Sequence, residues 1–164
     1  MLQIAILAII SIMSGLEKEI YCFYSMYSWI FGYLEKEWGK KAVEDYWLHI
    51  GSKYYGRLVE DIKKRGLAAL KDYYDRYLSA EDGSEQVKVV KNEDMFRVDT
   101  HNCKAMQWLR TQKVGDCAFC QDSYYSDYCD HCRFINQTIA RESGLSFHME
   151  YNRQGKCTQV YRRR

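Results

Sequence analysis

The chain has 164 residues, of which 47% are apolar and 28% charged, and its formal net charge is +2. That length suits one domain spanning residues 1–164 with a hydrophobic core of its own. So small a charge imbalance gives no electrostatic ground for nucleic acid as a partner.

Proline is absent, so nothing forces a helix to stop and long helices are expected. The opening stretch from Leu2 to Met13 carries no charge. It is shorter than the roughly 20 apolar residues a spanning helix needs, and no lysine or arginine precedes it as in a signal peptide. A buried helix or strand-like cap is expected there, with export and interfacial anchoring as alternatives and no stable membrane insertion. Ser14 and Glu17 have capping-box spacing, so a helix begins there. Its apolar positions Ile20, Tyr24, Tyr27, Phe31, Leu34 and Trp38 recur at steps of three and four, and Gly39 ends it. A second helix carries the stripe Val43, Trp47, Ile50, Tyr54, Leu58 and Ile62. Lys63, Lys64, Arg65 and Gly66 complement its dipole and supply a left-handed cap. Gly51 and Gly56 cost this helix stability and mark close packing. Leu67, Leu70, Tyr74 and Leu78 define a third helix.

Beyond residue 79 the pattern changes. A turn over 80–84 leads into two strands, Gln86 to Val90 and Met95 to Thr100, and then a short helix from Cys103 through Leu109. A cysteine-rich segment occupies 115–132. Phe134, Ile135, Ile139 and Ala140 mark a helix closed by Gly144. Phe147 to Tyr151 and Cys157 to Tyr161 flank a turn at Asn152 to Gly155, the pattern of a β-hairpin. The expected class is α+β: N-terminal long helices (1–79) packed on a small antiparallel sheet that carries the cysteines (86–164).

Seven cysteines cannot all pair internally, and two C-x-x-C pairs favour metal or redox chemistry in a reducing, cytoplasmic compartment. Cys117, Cys120, Cys129 and Cys132 offer two thiolates from each of two tight turns. Four such sulfurs complete a tetrahedron around zinc at about 2.3 Å. An iron–sulfur cluster is the lesser alternative, and free or redox thiols remain open. A catalytic zinc would need one of these cysteines displaced, with His131 or His148 in its place. Cys129, near the start of a helix, is the best placed of them for a stabilised thiolate. Cys103 follows a strand, after His101 and Asn102, and opens a helix whose dipole also favours thiolate. Cys157 begins the last strand. Burial as a small hydrophobe is the alternative for both, and Cys22 is expected to be packing. His49 reads as a helix-edge residue. His148 points away from the face of Phe147 and Met149 and is a candidate base.

The run from Phe96 to Cys103, then Tyr128 and Cys129, then a glycine-bounded helix and a hairpin carrying Cys157, resembles the L-2-amino-thiazoline-4-carboxylic acid hydrolase family of small bacterial proteins. The helices over 16–79 fit that layout. The resemblance implies hydrolytic opening of a cyclic thiazoline amidine to an N-carbamoyl cysteine. It places Cys103, Cys129 and Cys157 at the family's cysteine positions. Cys117, Cys120 and Cys132 are extra to the pattern, and the family's Gly-Asp pair before the final cysteine is replaced by Gly155 and Lys156. The expected function is therefore a hydrolase opening a small cyclic C–N or C–S substrate. Cys103, Cys129 or a zinc-bound water attacks, and His101 or His148 moves the proton. A non-catalytic zinc-binding or small-ligand-sensing domain is the alternative. Helical aromatics permit a homodimer.

Overall fold

The computed structural model describes residues 26–27, 29–80, 87–111, 128–152 and 155–164. The apolar opening stretch, the Ser14–Glu17 capping box, Ile20, Cys22, Tyr24, Cys117, Cys120 and the turn beyond Ala80 lie outside the described residues.

Helix α1 covers 29–38 and ends at Gly39, whose φ of 80° takes the chain out of the helix. Helix α2 (Lys40–Lys53) returns alongside it. Phe31 and Trp47 pack with ring centroids 4.1 Å apart. The stripe from Val43 to Ile62, expected as one helix, is two. Tyr54 and Tyr55 both donate to the carbonyl of Ile50, at 3.0 and 3.4 Å, so the hydrogen-bond ladder stalls there. Helix α3 (Gly56–Arg65) then restarts from Tyr55, whose ψ of 11° is not helical. The apolar period survives the break, because Val59 and Ile62 are buried in the same core as Val43 and Trp47. Tyr54, at the break, faces solvent. Gly66 (φ 62°) ends α3, and helix α4 (Leu67–Ala80) buries Leu67, Leu70 and Tyr74. Trp38 was expected on the core stripe but is 62% exposed. It is the last residue of α1, where the chain turns toward α2, and it rests edge-on against Tyr33 rather than in the core.

Strands β1 (Val87–Lys91), β2 (Met95–Thr100), β3 (Leu145–Tyr151) and β4 (Cys157–Arg163) form one sheet in the order β1-β2-β4-β3, every neighbour antiparallel. Helix α5 (Lys104–Thr111) follows β2, and helix α6 (Asp130–Glu142) precedes β3. The architecture is α+β, as expected. Among the described residues no helix is long and apolar enough to cross a membrane.

The register decides what faces the helices. Side chains alternate across a strand and paired residues share a face. Phe96, Tyr161 and Phe147 form one inward row; Val98, Gln159 and Met149 form the next; Thr100, Cys157 and Tyr151 form the third. Asp99, Thr158 and Glu150 form a row on the other face, as do Arg97, Val160 and His148. Phe96, Tyr161, Trp47, Ile62, Leu70 and Ile139 are fully buried between the layers.

Candidate thiol site

Cys103, Cys129, Cys132 and Cys157 are reduced and half-buried. They come from the start of α5, the start of α6 and the start of β4. Cys103 caps α5: its sulfur accepts the backbone N–H groups of Met106 and Ala105, donors that a helix's first turn leaves unpaired. Its own N–H donates to the carbonyl of Gly155 at 2.8 Å. Gly155 has φ of 95°, and a Cβ there would stand 3.2 Å from the Cys103 nitrogen. That glycine lets the β3–β4 turn close over the strand-to-helix corner. Cys157 lies in the inward row between Thr100 and Tyr151, and its sulfur takes hydrogen bonds from Thr100 and Gln159.

The described thiols lie near enough to feel one another's charge. Charge on Cys132 opposes ionisation of Cys103, Cys129 and Cys157, and of Tyr73, Tyr74 and Tyr161 as well. Desolvation is the larger cause. It pushes the Cys103 thiol up to about 11, although the α5 amides pull the other way, and the Cys129 thiol up to about 12. The stabilised thiolates expected at Cys103 and Cys129 are therefore not what the fold produces. A half-dipole at a helix end contributes at most about 2 kcal/mol, and burial beside other thiols and the Asp130 carboxylate outweighs it.

Among the described residues, the imidazole hydrogen-bonded to a thiol is that of His131. His131 Nδ1 contacts the carbonyl oxygen of Tyr128, and a carbonyl can only accept, so Nδ1 carries the proton. Nε2 is then an acceptor, and it stands 3.2 Å from the sulfur of Cys132. The thiol donates to the ring, and the ring is oriented by a backbone carbonyl. Trp47 and Tyr128 flank the imidazole, with centroids 5.3 and 4.5 Å away. His148 lies in the outward row, 70% exposed, where Nε2 meets Glu150 at 3.1 Å; the sheet separates it from the thiols. His101 is exposed at the bend after β2. It borders an open hollow of about 620 Å³ with Asp99, Lys156 and Cys157.

Beneath the thiols runs a buried amide and hydroxyl network. Tyr74 donates to Gln159 Oε1 at 2.8 Å, and Asn136 Nδ2 reaches the same oxygen at 3.2 Å and the Cys132 carbonyl at 2.8 Å. Tyr161 donates to Asn136 Oδ1 at 2.6 Å. Burial raises Tyr74 and Tyr161, so both hydroxyls stay protonated donors. Asp130, 2% exposed, accepts from Tyr151 at 2.6 Å and from Arg133 at 3.1 Å. This carboxylate ties the first turn of α6 to the end of β3, and neither partner stood out in the sequence. Spacing could have flagged Asp130 only as a first-turn acid. Tyr151→Phe is expected to cost about 1–3 kcal/mol, because it leaves a buried carboxylate one donor short. Urea unfolding measures it, and an unchanged midpoint would rule the tie out.

The raised thiols also set a pH dependence. An unfolded chain ionises its cysteines near the ordinary thiol value, whereas the folded Cys103 and Cys129 hold their protons to about 11 and about 12. The folded state thus binds more protons above the ordinary value, and stability falls as pH rises through that window. Below it the contribution is complete. Melting under reductant is expected to be insensitive to these groups up to pH 8 and to drop steadily toward pH 11. The drop is expected to be shallower in a Cys103→Ser, Cys129→Ser double variant.

The expected zinc set draws half its ligands from Cys117 and Cys120, outside the described residues. Among the described residues no group of three or more His, Cys, Asp or Glu side chains is disposed to hold a metal ion. The described thiols alone do not fit such a group. Compared with models of protein families, with curated proteins and with solved structures, the chain matches none.

Proposed function

We propose that this protein is a cysteine-dependent hydrolase that opens a small cyclic amidine at its C–S or C–N bond, with Cys132 as nucleophile and His131 as its base. The observation that carries this reading is the sequence of contacts from Cys132 Sγ to His131 Nε2, and from His131 Nδ1 to the Tyr128 carbonyl. A nucleophile, a base within hydrogen-bond reach and a third group orienting the base are what covalent catalysis requires. The resemblance to thiazoline-carboxylate hydrolases supplies the substrate class. Of the cysteines at that family's positions, Cys129 lies one helical turn from the nucleophile, and Cys103 and Cys157 are near enough to feel its charge.

For a thiazoline amidine, Cys132 passes its proton to His131 Nε2 as sulfur attacks the ring carbon between sulfur and nitrogen. The ring C–S bond breaks, and the departing ring sulfur takes the proton back. Water then adds to the same carbon with His131 as base, and the C–S bond to Cys132 breaks. A ureido product is released and the thiol restored. The first exchange trades one C–S bond for another, so the protein's task is orientation and proton transfer rather than driving an uphill bond change. Asn136, bonded to the Cys132 carbonyl and tied to Gln159 and Tyr161, fixes the backbone that carries the nucleophile. The protein works in a reducing compartment such as the cytoplasm, where the thiols stay free.

The test is intact-mass analysis after rapid acid quench with a panel of 2-aminothiazolines and related cyclic amidines. A substrate adduct on Cys132 that forms and decays with turnover supports the reading. Turnover with adducts only on Cys103 or Cys129 would reassign the nucleophile. Silence across the panel would remove the substrate class.

A further inference from the structure

Cys129 and Cys132 have a relation that hydrolysis does not use. Cys129 has φ −64° and ψ −21° and immediately precedes the helical Asp130, so the backbone from Cys129 to Cys132 is one helical turn. Residues three apart on a helix share a face with Cβ atoms about 5–6 Å apart, while a disulfide needs about 3.5–4.5 Å. The turn must therefore tighten by roughly 1–2 Å. It is held loosely enough to do so: Arg133 N–H reaches the Cys129 carbonyl at 3.4 Å and His131 N–H reaches the Tyr128 carbonyl at 3.3 Å. The other two described thiols are engaged elsewhere, Cys103 by the α5 amides and Cys157 by Thr100 and Gln159.

We infer that Cys129 and Cys132 form a reversible dithiol pair that closes to a disulfide on reaction with low-molecular-weight disulfides, Cys132 attacking first and Cys129 resolving. Cys132 gives its proton to His131 Nε2 and its sulfur attacks one sulfur of the small disulfide. That S–S bond breaks, and the released thiolate takes the proton from the imidazolium. Cys129 then attacks the Cys132 sulfur, the mixed disulfide breaks, and the second small thiol leaves with the Cys129 proton. Two protein thiols are oxidised and one small disulfide is reduced to two thiols. His131 presents its ring nitrogen to Cys132, which fixes the order of attack. Closure itself does not depend on the hydrolytic reading. Its consequence does: the disulfide consumes the proposed nucleophile, so turnover stops until a reductant reopens it.

Reduced, desalted full-length protein is incubated with oxidised glutathione, acid-quenched, and read by intact mass and peptide mapping. Metal content is measured on the same sample. The expected result is a loss of two hydrogens located to a bond within the peptide that carries both Cys129 and Cys132, reversed by dithiothreitol. Cys129→Ser is expected to stop at a stable glutathione adduct on Cys132. A lasting adduct on Cys132 of the unaltered protein would overturn the inference. So would a disulfide joining Cys132 to any cysteine other than Cys129, or thiols that stay reduced around a retained metal. No substrate enters the assay, so a failure here is separate from a failure of the hydrolase reading.

Discussion

Cys132→Ser is expected to lower turnover of the ring-opening reaction by at least about 10³-fold, with substrate affinity changed far less. A serine hydroxyl keeps the geometry against His131 Nε2 but is a much weaker nucleophile at neutral pH. His131→Ala is expected to cost about 10²–10⁴-fold, the usual contribution of a positioned base. The double variant is expected to lose little more than Cys132→Ser alone, since the two residues act as one unit. Cys103→Ser and Cys129→Ser are expected to stay within about tenfold, because burial holds both thiols protonated at neutral pH. Steady-state rates of the five proteins, compared with the unaltered one, decide the matter. If Cys129→Ser fell as far as Cys132→Ser, the assignment would move one turn back along α6.

What could be read from residues alone, and what could not, divides along a physical line. Helix faces and strands came through as periodicity, because burial of Phe31, Val43, Trp47, Val59, Ile62, Leu70 and Tyr74 is enforced by a two-layer core. The break at Tyr54 and Tyr55 was hidden because the turn advances the chain without losing the stripe. The outward direction of His148 followed from strand alternation alone. The thiol site was harder to read. Cys103, Cys129 and Cys157 stand at the starts of three separate elements, so how near they come to one another depends on strand register and on the Gly155 turn, and only the resemblance links them in the sequence. Cys132 and His131 are neighbours in sequence, yet their pairing depends on where Nδ1 finds a carbonyl, a fact of the first turn of α6. Desolvation was invisible too: the C-x-x-C pattern argues for a lowered thiol at Cys129, and the burial that reverses it belongs to the tertiary structure.

Gly51→Ala is expected to destabilise the fold by about 1–3 kcal/mol, even though alanine is the better helix former by roughly 0.5–1 kcal/mol. A Cβ at position 51 would lie 2.8 Å from the Cβ of Thr138 and 2.9 Å from the Ile135 carbonyl oxygen. Neither is the free end of a flexible side chain, so helices α2 and α6 would have to part. Gly56 is the internal control: nothing lies within 4 Å of its would-be Cβ, so Gly56→Ala is expected to be neutral or to gain up to about 1 kcal/mol. Urea midpoints of the two variants should move apart, and equal midpoints would show that the helices are not in register at this glycine. The effect should also reach the site. Trp47 lies one turn before Gly51 and packs on His131, which lies one turn before Ile135. Parting the helices at Gly51 therefore loosens the surface that holds the imidazole against Cys132. The variant is expected to lose turnover under conditions where it is still fully folded.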